Sequence, residues 1–127
     1  MESDNRPKTI ICDIDGTLID HLGPMIAAIL TSSSSDLNSP VLLRGVRGKF
    51  TEWDRKGYYI ILMTGRKESM RKNTESYLSS LGLFWDQLVM GVGGGPRVLI
   101  NDKKVDGTLT AFAINLDRNE GLGDIDI

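Results

Sequence analysis

Asp13 and Asp15 stand two residues apart and are followed at once by Gly16 and Thr17. Two further polar clusters carry related chemistry: Thr64, Gly65 and Arg66, then Asn101, Asp102, Lys103 and Lys104. Three carboxylates brought to one place repel one another unless a hard cation sits among them. Mg²⁺ fits, because it takes oxygen ligands and commonly binds through one or two carboxylates together with a substrate phosphate. A threonine hydroxyl and the free backbone N–H groups ahead of a helix hold phosphate oxygens, which makes Thr64 and Gly65 phosphate-binding candidates. Gly16 lets the chain turn sharply and approach a ligand closely. Together these groups suggest phosphoryl transfer through an aspartyl-phosphate. Asp13 attacks phosphorus, Asp15 protonates the leaving oxygen and then activates water, and Asp102 holds the metal. No step needs histidine or cysteine, and the chain has one of each.

Each cluster follows a short apolar run. Such runs occupy residues 9–12, 58–63, 87–90, 98–100 and 111–116. They are rich in β-branched residues and continuously apolar, as strands buried on both faces of a parallel sheet are. Helical spacing appears between them. Over 68–81, Met70, Thr74, Tyr77, Leu78 and Leu81 recur at helical intervals and Gly82 stops the pattern. Over about 41–56, Val46, Phe50 and Trp53 share a face, with Gly45 and Gly48 weakening the start. A shorter helix over 24–30 opens at Pro24. This alternation predicts an α/β fold, a three-layer Rossmann-like domain with a mainly parallel five-stranded sheet. Ligands of such sheets bind beyond the carboxyl ends of the strands, where the three clusters fall. The stretch SSSSDLNSP at 32–40 reads as an exposed connection.

Three motifs in order resemble the haloacid dehalogenase (HAD) superfamily of Mg²⁺-dependent phosphatases. IICDIDGTLID is similar to its first motif, IILMTGR to its second and VLINDKK to its fourth. Asp13 and Thr64 lie 51 positions apart, and Thr64 and Asp102 lie 38 apart, in keeping with that order. The resemblance spans most of the chain, from about Thr9 to Leu116. It implies that Asp13 is nucleophile and metal ligand, and that Asp15 is the acid/base with its carbonyl on the metal. It further implies that Thr64 binds the transferring phosphoryl group and that Asp102 completes the Mg²⁺ site. The superfamily's third motif supplies a lysine, often followed by proline. The segment MGVGGGPR at 90–97 has none. Arg97, Lys72 and Lys103 are the basic residues in position to replace it, though Arg and Lys meet a phosphate differently. Only about twenty residues separate Asp20 from the helix near Val41, too few for the cap domain that many members carry. The resemblance therefore implies a capless member with an open site, closed by a second copy or a partner subunit.

The bland readings of other residues are structural. Cys12 packs as a small hydrophobe in a central strand, His21 is a loop residue near the site, and Trp53 and Trp85 are packing residues. The glycine run from Gly91 to Pro96 is not a phosphate loop, since no Gly-Lys-Ser/Thr follows and Pro96 breaks the Gly-x-Gly-x-x-Gly register. It reads as a flexible loop at the edge of the site.

The 127 residues make one domain, with its core at about 9–116 and a flexible tail at 117–127. Fifteen Lys plus Arg against seventeen Asp plus Glu give a net charge of −2, which provides no general basic surface for nucleic acid or an anionic membrane. A lone cysteine makes no intramolecular disulfide, no apolar run reaches a membrane span, and MESDNRPK lacks a signal core, so a cytoplasmic protein is expected. The expected activity is phosphomonoester hydrolysis on a phosphorylated small molecule, with a sugar phosphate as the leading substrate hint and nucleic acid disfavoured. The alternative is a catalytically silent metal- and phosphate-binding module working with a partner.

Overall fold

The computed structural model of the chain describes residues 4–20 and 42–127. The expected helix at 24–30, the serine-rich connection at 32–40 and His21 lie outside the described residues. Three strands pair in parallel: β1 (Thr9–Asp13), β2 (Tyr59–Met63) and β3 (Gln87–Val89), in the order β1-β2-β3. Ile10 faces Ile60 and Cys12 faces Leu62 across the first pair, and Leu62 faces Leu88 across the second. Between the strands run helices α1 (Val46–Arg55) and α2 (Arg71–Ser80), the latter entered through a 3₁₀ turn at Glu68–Met70.

The core is built from what each element can bury. On α1 the buried side chains are Val46, Phe50 and Trp53, the face expected from their spacing. The Phe50 ring lies 5.3 Å from Trp53 and 5.6 Å, edge-on, from Phe84. Helix α2 buries Thr74 and Leu78. Val46, Phe50, Trp53 and Leu78 join Ile10, Cys12, Ile60, Leu62 and Leu88 in one apolar cluster. Burial along β1 and β2 alternates, leaving Ile11 and Tyr59 exposed at 47% and 42%. Among the described residues the sheet is therefore covered more fully on one face than on the other, not equally on both as continuous apolar runs imply.

Two expectations change. The sheet has three strands among the described residues, not five. The runs at 98–100 and 111–116 do not join it and belong to an arm, residues 97–116, whose bonds are largely its own. Asn101 Nδ2 donates to Thr110 Oγ1 at 2.7 Å, the Thr110 hydroxyl donates to the Asp102 carbonyl, and the Lys104 N–H donates to Thr108 O at 3.0 Å. The reason is turn chemistry: Asp106-Gly107 is a hairpin dipeptide, and Asp106 Oδ1 accepts the Thr108 N–H at 2.9 Å. An apolar run shows strand propensity but does not choose its partner. The second change is at the end of the chain. Leu122 is 1% exposed, its N–H donates to Arg44 O at 2.8 Å, and Ile125 and Ile127 pack against the core. The tail docks through its apolar residues, which pack against the core. No helix among the described residues is long and apolar enough to cross a membrane.

Candidate active site

Strand β1 ends at Asp13, and the chain then folds over a tight turn. The N–H groups of Thr17, Leu18 and Ile19 all point at the Ile14 carbonyl, at 3.1, 2.8 and 3.3 Å. Gly16 takes a φ of 86°, which favours glycine, and its N–H donates to Ile19 O at 2.7 Å. Ile14, Leu18 and Ile19 are fully buried, so the turn is anchored from beneath and its carboxylates are carried at the strand end.

Asp13 is half-buried. Desolvation pushes its carboxyl above the ordinary aspartate value, and the neighbouring charge of Asp15 adds to the rise. The Ile14 N–H, the Arg97 guanidinium and the Thr17 hydroxyl oppose it. Thr17 Oγ1 donates to Asp13 Oδ2 at 3.4 Å, and Arg97 Nη1 stands 3.9 Å from Oδ1. Arg97 is steadied by a bond from Nη2 to Gly93 O at 3.1 Å.

Asp15 is gripped by a guanidinium fork. Arg66 donates from Nε to Oδ2 at 3.0 Å and from Nη2 to Oδ1 at 2.8 Å. Its third nitrogen, Nη1, donates to the hydroxyl of buried Thr74 on α2 at 3.2 Å. One side chain thus ties the β1 turn to the end of β2 and to α2. Bidentate geometry of this kind fixes a carboxylate's orientation as well as its charge partner.

Thr64 follows β2 and is 1% exposed. Its N–H donates to Val89 O at 3.0 Å, its carbonyl accepts the Val92 N–H at 3.0 Å, and its Oγ1 accepts the Arg66 N–H at 3.1 Å. The Gly91 N–H closes the same turn onto Arg66 O at 2.7 Å. Gly65 packs so closely on the glycine loop that a Cβ there would stand 3.3 Å from Gly93 O. The glycine-rich segment is thus pinned at its start to the second motif.

Of the residues singled out in the sequence, Asp13, Asp15, Thr64, Gly65 and Arg97 come to the adjacent ends of β1 and β2. Asp102 and Lys103 do not join them. Both are exposed on the arm, and Lys72 is exposed on α2. Among the described residues no three His, Cys, Asp or Glu side chains gather closely enough to hold a metal ion. Within one chain the Asp13 carboxylate and the Asp15 carbonyl are oxygen donors of the class a hard cation takes, and the third acid is elsewhere. The residue that sequence reasoning missed is Arg66. Its signal was present, directly after Thr64 in IILMTGR.

Residues 7–92 match the family model described as the polynucleotide kinase PNKP phosphatase domain. Among solved structures, the chain is 27% identical to a chain of the Pnkp1/Rnl/Hen1 complex, with a TM-score of 0.51 over 72% of its own length and 30% of that chain's. A second structure, of the Pnkp1/Rnl/Hen1 RNA repair complex, gives 27% identity and a TM-score of 0.48 over 71% of this chain and 27% of that one. The sequence thus spans less than a third of either of these two chains. No curated protein matches it significantly.

Proposed function

This chain belongs to the family of polynucleotide kinase PNKP phosphatase domains, within the HAD superfamily, and from that membership we propose a phosphomonoester hydrolase working through an aspartyl-phosphate on Asp13. The observation that carries the proposal is the Arg66 fork on Asp15. It brings an acid/base candidate from the β1 turn into register with the Thr64 turn of β2, beside an aspartate that faces a guanidinium.

In the proposed reaction, Asp13 attacks the phosphorus of R–O–PO₃²⁻ and the P–OR bond breaks. The leaving oxygen takes a proton from Asp15. Asp15 then accepts a proton from water, whose oxygen attacks the phosphoaspartate and releases inorganic phosphate and free Asp13. Arg97 faces the incoming charge, and the Thr64 hydroxyl with the Gly65 N–H holds phosphoryl oxygens. Mg²⁺ would be held by Asp13 and the Asp15 carbonyl, with Asp102 apart from them on the arm, and would supply charge neutralisation between carboxylate and phosphate.

For the substrate, family membership favours the terminal phosphate of a polynucleotide over the small sugar phosphate that the sequence suggested. With a net charge of −2, the chain would recognise such an end locally, through Arg97, rather than by a broad basic surface. A silent binding module is the second reading, favoured by the missing motif lysine and by the position of Asp102 on the arm. Phosphate release from phosphorylated oligonucleotides, sugar phosphates and an aryl phosphate, each with Mg²⁺, separates these cases. Release from oligonucleotide ends that is lost in Asp13→Asn is expected. Absence of release from all three refutes hydrolysis.

A further inference from the structure

Helix α2 turns a buried stripe to the core at helical spacing. Leu78 is fully buried, and position 74, one turn earlier on the same face, carries a threonine. Thr74 is 1% exposed, and with Thr64 it is one of two buried polar residues among the described residues. Local rules do not favour it there. Threonine forms helix less readily than leucine, and a buried hydroxyl without a partner costs stability. This hydroxyl has a partner. Arg66 Nη1 donates to Thr74 Oγ1 at 3.2 Å, while Nε and Nη2 of the same guanidinium grip Asp15 at 3.0 and 2.8 Å.

The fork alone fixes the line between Arg66 and Asp15, but it leaves the two free to swing together. The third bond removes that freedom, because a planar guanidinium held on two elements has one orientation. Both ends of the connection are themselves anchored. The Arg66 N–H donates to Thr64 Oγ1 at 3.1 Å, and its carbonyl accepts the Gly91 N–H at 2.7 Å. On α2, Arg71 lies three residues before Thr74. It donates from Nη2 to Leu88 O on β3 at 3.0 Å and pairs with Glu68 and Glu75 at 2.6 and 3.3 Å. The Arg66 and Asp15 side chains are part-exposed, so water competes for the fork, whereas the Thr74 hydroxyl is shielded from it.

We propose that Thr74 is a positioning residue for hydrolysis: through Arg66 it holds the Asp15 carboxyl at the angle from which the leaving oxygen is protonated. This rests on the reading of Asp13 as nucleophile and Asp15 as acid/base. Without the hydroxyl, Nη1 loses its fixed partner, and Asp15 moves with the fork. A misplacement of about 1 Å costs up to about 10²-fold in rate. That cost falls on the step that uses the acid. An alkoxide is a poor leaving group and needs the proton, whereas a nitrophenolate departs without it. The ratio kcat/KM covers only the steps through P–O cleavage, so the later attack of water, common to both kinds of ester, does not enter it.

The test compares Thr74→Val, which removes the hydroxyl at nearly constant volume, with Thr74→Ser, which keeps it. For each variant kcat/KM is measured with Mg²⁺ on a phosphorylated oligonucleotide, an alkyl ester, and on nitrophenyl phosphate. The quotient of the two values does not depend on the fraction of the sample that is folded. In Thr74→Val this quotient is expected to fall roughly tenfold, part of the 10²–10⁴-fold that a positioned acid contributes. In Thr74→Ser it should stay within about twofold of the wild type. An unchanged quotient in Thr74→Val, or an equal fall in both variants, overturns the positioning role. Urea unfolding reads the same contact without activity: the losses of Thr74→Val and Arg66→Ala are expected to be less than additive, and full additivity overturns the coupling. A wild type that releases phosphate from neither ester is a different result. It refutes the hydrolase reading itself, and the positioning role falls with it.

Discussion

Arg66→Ala is the most informative single substitution. Arg66 makes two charge-assisted bonds to Asp15 and one bond to Thr74, and the Arg66 and Asp15 side chains are 24% and 28% exposed. Charge-assisted bonds contribute about 1.5–3 kcal/mol each when well shielded. Partial exposure reduces that, so a total loss of about 2 kcal/mol is expected from the pair. For a domain of this size such a loss lowers Tm by roughly 8 °C. The effect on turnover should be larger, because a positioned acid/base contributes about 10²–10⁴-fold. Urea unfolding measures the first quantity and phosphate release at saturating substrate the second. Arg66→Lys should recover part of the stability and little of the rate, because an ammonium cannot form the fork. If positioning is the cause, adding Asp15→Asn to Arg66→Ala costs no further turnover. Wild-type kcat in Arg66→Ala, or fully additive losses in the double variant, would refute the reasoning.

Other perturbations have equally definite outcomes. Asp13→Asn should abolish turnover and, in EDTA, leave the urea midpoint at pH 8 equal to or above wild type. Burial raises the Asp13 carboxyl, so its contribution to stability is present at acid pH and lost as pH rises through the raised native value. A clear fall in midpoint contradicts this. Burial, with Asp13 adding, pushes the Cys12 thiol up to about 12. Thiol reagents at pH 8 should therefore label the native chain only on unfolding, and rapid native labelling would place Cys12 at the surface. Leu122→Ala should cost about 3 kcal/mol by urea denaturation, because the side chain is 1% exposed in the docked tail. A change below 0.5 kcal/mol, the usual scale for surface substitutions, would mean that the tail is not part of the core.

Much of this was legible in the sequence where local chemistry decides the structure. The strand ending in Asp13, the turn at Gly16, the buried face of α1 and the Thr64 turn after β2 all follow from short-range rules: strand runs, a positive φ, helical spacing and chain order. The arm was not legible, because Val98-Leu99-Ile100 carries strand propensity while the turn at Asp106-Gly107 folds the segment onto itself. Arg66 was overlooked for a related reason. Its value lies in a fork to Asp15, 51 positions earlier, which no periodicity reveals. The tail was misread from its acids and glycines, whereas Leu122, Ile125 and Ile127 were the residues that mattered.

The central claim is that Asp13 carries the phosphoryl group. Rapid quenching during turnover of a phosphorylated oligonucleotide, followed by peptide mass spectrometry, tests it directly. Phosphate is predicted on Asp13 in the wild type and on no residue in Asp13→Asn. Turnover with no phosphoaspartate, or with the label on another residue, would contradict the account.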